Sequence, residues 1–121
     1  MRRLALIALL VACGKASPPA PTSRDALIAA WKQAGLTVSS FAATQSAIGK
    51  DCQAGTVNKL DVLVCSYASP DDAKAAESGG LQWVGDTTGA AQAHGAILIA
   101  VADRHKADPN GKTINQILKA H

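Results

Sequence analysis

Side chains able to do chemistry are few in this chain: three cysteines, three histidines and nine carboxylates among 121 residues. Catalysis by side chains needs an acid, base or nucleophile held in a cleft, its pKa tuned by burial or a neighbouring charge. The candidates are His94, Asp103 and His105. Asp103 and His105 alternate along an extended stretch and so project to one side, but two groups are too few to hold a metal ion. Arg104 and Lys106 make the same stretch a charged strand exit, His94 falls in a turn, and His121 is the last residue. Asp71 and Asp72 have a plainer task in the first turn of a helix. No Gly-x-Ser-x-Gly elbow is present. Gly111-Lys112-Thr113 matches only the end of a phosphate loop, because Lys106 stands where the motif requires glycine; it reads as a turn and helix start. Trp31 and Trp83 have the shape to line a ligand groove, but with four aromatics in the chain they are needed as core anchors. These residues give no catalytic group, cofactor or metal to assign, and no nucleotide site.

The cysteines give a scaffold. Cys52-x12-Cys65 lacks the close ligand pairs of a zinc site and the Cys-x-x-Cys at a helix start that tunes a redox couple. A two-residue turn at Asn58-Lys59, with Asn58 at positive φ, sets Val57 opposite Leu60. Counting outward pairs Thr56 with Asp61, Gly55 with Val62, Ala54 with Leu63, Gln53 with Val64, and Cys52 with Cys65. The pair closing such a turn is hydrogen-bonded and the types alternate, so the cysteines fall in a non-hydrogen-bonded pair, about 4.5 Å between Cα atoms. That is within reach of a disulfide. The stretch Asp51 to Tyr67 is therefore read as a stapled hairpin, and a fourteen-residue loop supplies about 3 kcal/mol in the chain-entropy account.

The remaining cysteine sits in a different context. Met1-Arg2-Arg3 is a positive start, Leu4 to Ala12 is wholly apolar, and Cys13 follows. Nine residues of helix span about 14 Å, roughly half of a hydrocarbon core, so the run does not cross a bilayer. Leu10-Val11-Ala12-Cys13 resembles the lipobox of bacterial lipoproteins. That resemblance, which covers residues 1–13, implies a signal peptide over 1–12. It also implies that Cys13 becomes the first mature residue, bearing a diacylglyceryl thioether and an N-acyl chain such as palmitate. Lipidation of Cys13 would leave an even cysteine pair behind it. Gly14 in place of Asp leans toward the outer membrane, facing the periplasm or the cell surface. Lys15 to Pro21 is proline-rich, so residues 13–23 read as a semi-rigid tether. Removing Arg2 and Arg3 leaves ten basic and nine acidic side chains, a net charge of +1, which gives no nucleic-acid footprint.

The elements that position these groups follow in order over a single domain, 24–121. A helix is expected over Arg24 to Ala34, capped by Thr22, with Leu27, Ala30, Trp31 and Ala34 on one stripe and Gly35-Leu36 closing it. Leu36 to Phe41 reads as a strand and Ala42 to Gly49 as a loop. After the hairpin, whose second arm is apolar on both faces and so central, Ser69-Pro70 starts a helix that stops at Gly79-Gly80. Leu81 to Gly89 is ambiguous. Ala90 to Ala93 pairs with a buried strand, Ala96 to Ala102, across a His94-Gly95 turn. Asp108 to Gly111 is a turn cluster, and a last helix covers Thr113 to Ala120 with a Thr113/Gln116 capping box. The order αβββα(β)βα predicts an α+β domain, an antiparallel-rich sheet with helices on one face.

The expected function is a small lipid-anchored envelope protein acting as a non-catalytic binding or interaction module. Its partners would be the membrane, through Cys13, and a protein of the envelope. The alternatives are a small periplasmic enzyme using His94, Asp103 and His105, or a purely structural envelope protein.

Overall fold

A computed structural model describes residues 23–119; Cys13, the signal peptide, the tether up to Thr22, and Ala120 and His121 lie outside them. The chain runs α1 (Arg24–Gln33), β1 (Ala42–Ser46), β2 (Gly49–Val57), β3 (Leu60–Ser66), α2 (Pro70–Ala75), α3 (Glu77–Val84), β4 (Thr88–His94), β5 (Ile97–Asp103) and α4 (Lys112–Lys119). The strands form one antiparallel sheet in the order β1-β2-β3-β5-β4. This is an α+β fold, with β3 at the centre as its apolar faces require.

The β2–β3 register is the one counted from the turn, from Val57 with Leu60 out to Cys52 with Cys65. Asn58 and Lys59 adopt φ of 49° and 70°, the left-handed pair that a type I′ hairpin demands. The Cys52–Cys65 disulfide is formed, with Cα atoms 4.0 Å apart, and both cysteines are buried.

The helices divide between the two faces of the sheet instead of sharing one. Leu27, Trp31, Ile114 and Ile117 of α1 and α4 meet Val62, Val64, Ile97, Ile99 and Val101 on one face. On the other, Val84, Trp83 and Ala76 meet Leu63, Cys65, Leu98, Ala100 and Ala102. The cause is in the strands: β5 is buried at every position and β3 at all but two, and a strand apolar on both faces must be covered on both.

Helix α1 ends as expected. Gly35 has φ of 87°, and the N–H groups of Gly35 and Leu36 donate to the carbonyls of Lys32 and Trp31, the closure of a Schellman motif. Its start differs, for Ser23 is the cap, accepting from the Ala26 N–H at 3.1 Å. Leu36 to Phe41 is not a strand: only Val38 bridges, to Val57. The edge strand is Ala42–Ser46, in the expected loop, because Leu36 is committed to the helix end and the outer hydrogen-bonding groups of β2 require a partner further on.

Gly79-Gly80 does not stop a helix. The break falls at Ala76, where α2 ends and α3 begins, and the ambiguous stretch from Leu81 joins α3 as far as Val84. A Cβ on Gly79 would sit 2.5 Å from Ile48 Cγ2, and one on Gly80 2.7 Å from the Ala91 Cβ. The glycines let the helix lie close on the sheet, a second use of a residue with no side chain. The β4–β5 turn is Gly95-Ala96, one residue beyond the expected position, since His94 pairs with Ile97. Helix α4 is also capped differently: the Asp108 carboxylate accepts from the Ile114 N–H at 2.8 Å, reaching over the turn closed by the Gly111 N–H on the Asp108 carbonyl. Thr113 lies inside the helix.

Candidate functional site

The β2–β3 hairpin has two unlike ends. At one, Ser66 pairs with Asp51 next to the disulfide. The first residue of α1 is fastened there: Arg24 Nη1 donates to the Asp51 carbonyl at 2.9 Å and to Ser66 Oγ at 3.1 Å, and lies 2.9 Å from the Asp51 carboxylate. At the other end is the Asn58-Lys59 tip. The two are separated by the length of β3, about 20 Å at 3.4 Å per residue.

At the tip, the segment Thr37–Ser39 is strapped along the end of β2. The Ser39 N–H donates to the Thr56 carbonyl at 2.9 Å and the Asn58 N–H to the Thr37 carbonyl at 2.8 Å. Side chains complete the strap: the Thr37 N–H donates to Asn58 Oδ1 at 2.7 Å and the Thr56 N–H to Ser39 Oγ at 2.8 Å. Between strap and tip lies a groove of about 430 Å³, lined by Thr37, Val38, Ser39, Thr56, Asn58 and Lys59. Hydroxyls, an amide, one apolar side chain and one cation line it, with Asn58 Oδ1 and Ser39 Oγ already accepting hydrogen bonds from the strap and β2. Lys59 is its sole charge.

A second pocket on the same end, about 390 Å³, is lined among others by Asp86, Thr88, Asp103, Arg104, Lys106 and Asp108. Three of its charged groups are occupied. Asp103, 6% exposed, accepts from the N–H groups of Ala107 and Asp108 at 2.7 and 2.9 Å. Asp108, 6% exposed, caps α4. Arg104 donates to Asp61 Oδ2 at 3.1 Å and to the Trp83 carbonyl at 2.7 Å, and its guanidinium lies 4.5 Å from the Trp83 ring centroid.

The residues singled out as possible acids and bases are not brought together. Asp103 pairs with Thr88 and His94 with Ile97, opposite ends of one hairpin, about 20 Å apart along the strand. His105 is exposed on the loop after β5. Asp103, read from sequence as part of a solvated exit, is instead a buried organiser of residues 103–108. Asp103→Ala is therefore expected to cost about 1.5–3 kcal/mol, the range for hydrogen bonds to a charged group, measured as a lower midpoint in urea unfolding.

Trp31 is buried, with its Nε1–H donating to the Ile117 carbonyl at 2.8 Å, so it is an anchor and not a groove wall. Trp83 is held under Arg104. Tyr67 donates its hydroxyl to the Ile48 carbonyl at 2.6 Å, and burial raises its pKa above the usual tyrosine value. Sequence reasoning missed the strap and groove; Thr37-x-Ser39, alternating hydroxyls after a helix end, was the available signal. No group of metal-ligating side chains occurs among the described residues, and no described helix is long and apolar enough to cross a membrane. No family matches the chain, and neither the curated proteins nor the solved structures contain a match.

Proposed function

We propose that this chain is a lipid-anchored binding module of the bacterial cell envelope, held through Cys13 and engaging its partner at the hairpin-tip groove. The reading is carried by one observation: the chain enters the domain at the disulfide end of β2–β3, where Arg24 is fastened, and the groove lies at the other end. A domain tethered from residue 13 thus holds its recognition surface away from the bilayer. The disulfide fits an oxidising compartment outside the cytoplasm. Several acyl chains, at about 0.8 kcal/mol per buried methylene, make detachment improbable.

The expected outcome has two parts. In a Gram-negative host, Cys13→Ser abolishes acyl labelling and moves the protein from the membrane to the soluble fraction; an unlabelled wild type with unchanged partitioning of the variant refutes the anchor. A photo-crosslinking residue at Lys59 captures a discrete envelope partner that the same residue at Lys50, near the disulfide end, does not. Equal capture from both positions refutes the groove as the site.

A further inference from the structure

We infer that the Cys52–Cys65 bridge is a thiol-exchange site entered at Cys52 Sγ, and that the Tyr67–Ile48 hydrogen bond is the latch that keeps it shut. The two sulfurs are set in unlike surroundings. Cys65 belongs to the central strand β3, between β2 and β5, and is 0% exposed. Leu98 stands opposite it on β5, and Leu63 and Tyr67 flank it along its own strand. Cys52 belongs to β2, whose outer neighbour is the edge strand β1, and is 3% exposed. The residue on its outer side is Thr44 of β1, which is only half-buried.

That edge is the weak part of the sheet. Strand β1 has five residues, none of them buried, and slips register between Thr44 and Ser46. A segment with so few buried contacts opens locally well before the domain unfolds. When it does, a thiolate from solvent meets Cys52 while Cys65 is still enclosed by β3, β5 and their side chains. Access decides which sulfur of a disulfide is attacked.

Tyr67 holds this edge down. Its hydroxyl donates to the carbonyl of Ile48, in the β1–β2 turn, at 2.6 Å. A Cβ placed on Gly49 would lie 3.0 Å from the Tyr67 hydroxyl oxygen and 3.2 Å from Cys52 Sγ. Hydroxyl and sulfur thus border the same bare backbone position. The Tyr67 N–H is itself fixed on the Ala96 carbonyl at 2.8 Å, in the β4–β5 turn, so the latch ties the edge to a part of the sheet that does not open with it.

The exchange balances with one small monothiol. Its thiolate sulfur bonds to Cys52 Sγ, and the Cys52–Cys65 bond breaks. The electron pair leaves on the Cys65 sulfur, which takes up the proton that the incoming thiol gave up. The product is a mixed disulfide at Cys52 and a free thiol at Cys65.

Glutathione, followed by an acid quench and peptide mapping by mass, tests this on the complete chain without denaturant. The adduct should sit on Cys52, with Cys65 free. Tyr67→Phe keeps the ring and removes the latch, so it should speed adduct formation about threefold to tenfold, the factor one hydrogen bond is worth. In both chains the rate should be insensitive to low urea, because local opening exposes little surface. An adduct on Cys65, or on both cysteines equally, overturns the inference. So does a folded Tyr67→Phe chain that exchanges at the wild-type rate, or a wild-type chain that forms adduct only where urea unfolds it. Should Tyr67→Phe fail to fold, the adduct site and urea dependence of the wild-type chain decide.

Discussion

Replacing Trp31 by Ala is expected to destabilise the domain by about 3–5 kcal/mol, the range for deleting a buried aromatic side chain. Trp31 is fully buried and stands where α1, α4 and the sheet meet. Its ring lies 6.0 Å from that of Phe41, and its Nε1–H holds the Ile117 carbonyl on α4. The substitution leaves a cavity where small aliphatic neighbours cannot collapse fully, and it strips a partner from a buried acceptor. The thermal midpoint should fall by more than about 12 °C, taking 4–8 °C per kcal/mol for a domain of this size. Trp31→Phe separates the two contributions: it keeps most of the buried area and loses the hydrogen bond, so its cost should be about 1–2 kcal/mol. A Trp31→Ala chain as stable as the wild type in urea unfolding would show that α1 and α4 are not held through this residue.

The second large effect concerns the staple. Cys52→Ala and Cys65→Ala should each lose about 2–5 kcal/mol, and the double variant should be no worse than either single one, because the same crosslink is lost in all three. Reductant should lower the wild-type urea midpoint and leave the double variant unchanged. Both cysteines are buried, in a cluster with Leu63 and Leu98 against which Ile48 and Tyr67 pack, so reduction should be slow under native conditions and fast in denaturant. Intact mass of protein purified without reductant should be two hydrogens below the reduced mass; free thiols in it would refute the staple.

How much of this was legible depends on how local the cause was. The β2–β3 register was readable from one turn, because a two-residue loop fixes every opposed pair, and the end of α1 was readable from Gly35-Leu36. Features decided by distant contacts were not. Gly79 and Gly80 carry the sequence signature of a helix end, and only Ile48 and Ala91 on the sheet show that they serve close approach. Strand β1 has an undistinguished sequence, Ala-Ala-Thr-Gln-Ser, and exists because β2 needs a neighbour. The two helical layers were implied by β3, apolar on both faces, but a single covered face was expected. Asp103 and Asp108 look like solvated loop carboxylates; their burial follows from the amides of residues 107, 108 and 114, which no spacing rule announces. The groove was illegible for the same reason, since its walls are backbone strapped by Ser39 and Asn58.

The clasp of Arg24 on Asp51 and Ser66 has a mechanical consequence. A pull on the chain ahead of Ser23 is delivered to the clasped end of the hairpin, beside the one covalent crosslink between its arms. Load arriving there meets the disulfide before it can open the β2–β3 ladder pair by pair. At the Asn58-Lys59 end the turn backbone joins the arms, and the Thr37–Ser39 strap is held by hydrogen bonds alone. The domain is therefore stapled covalently at the end where the described chain enters it and strapped by hydrogen bonds at the other.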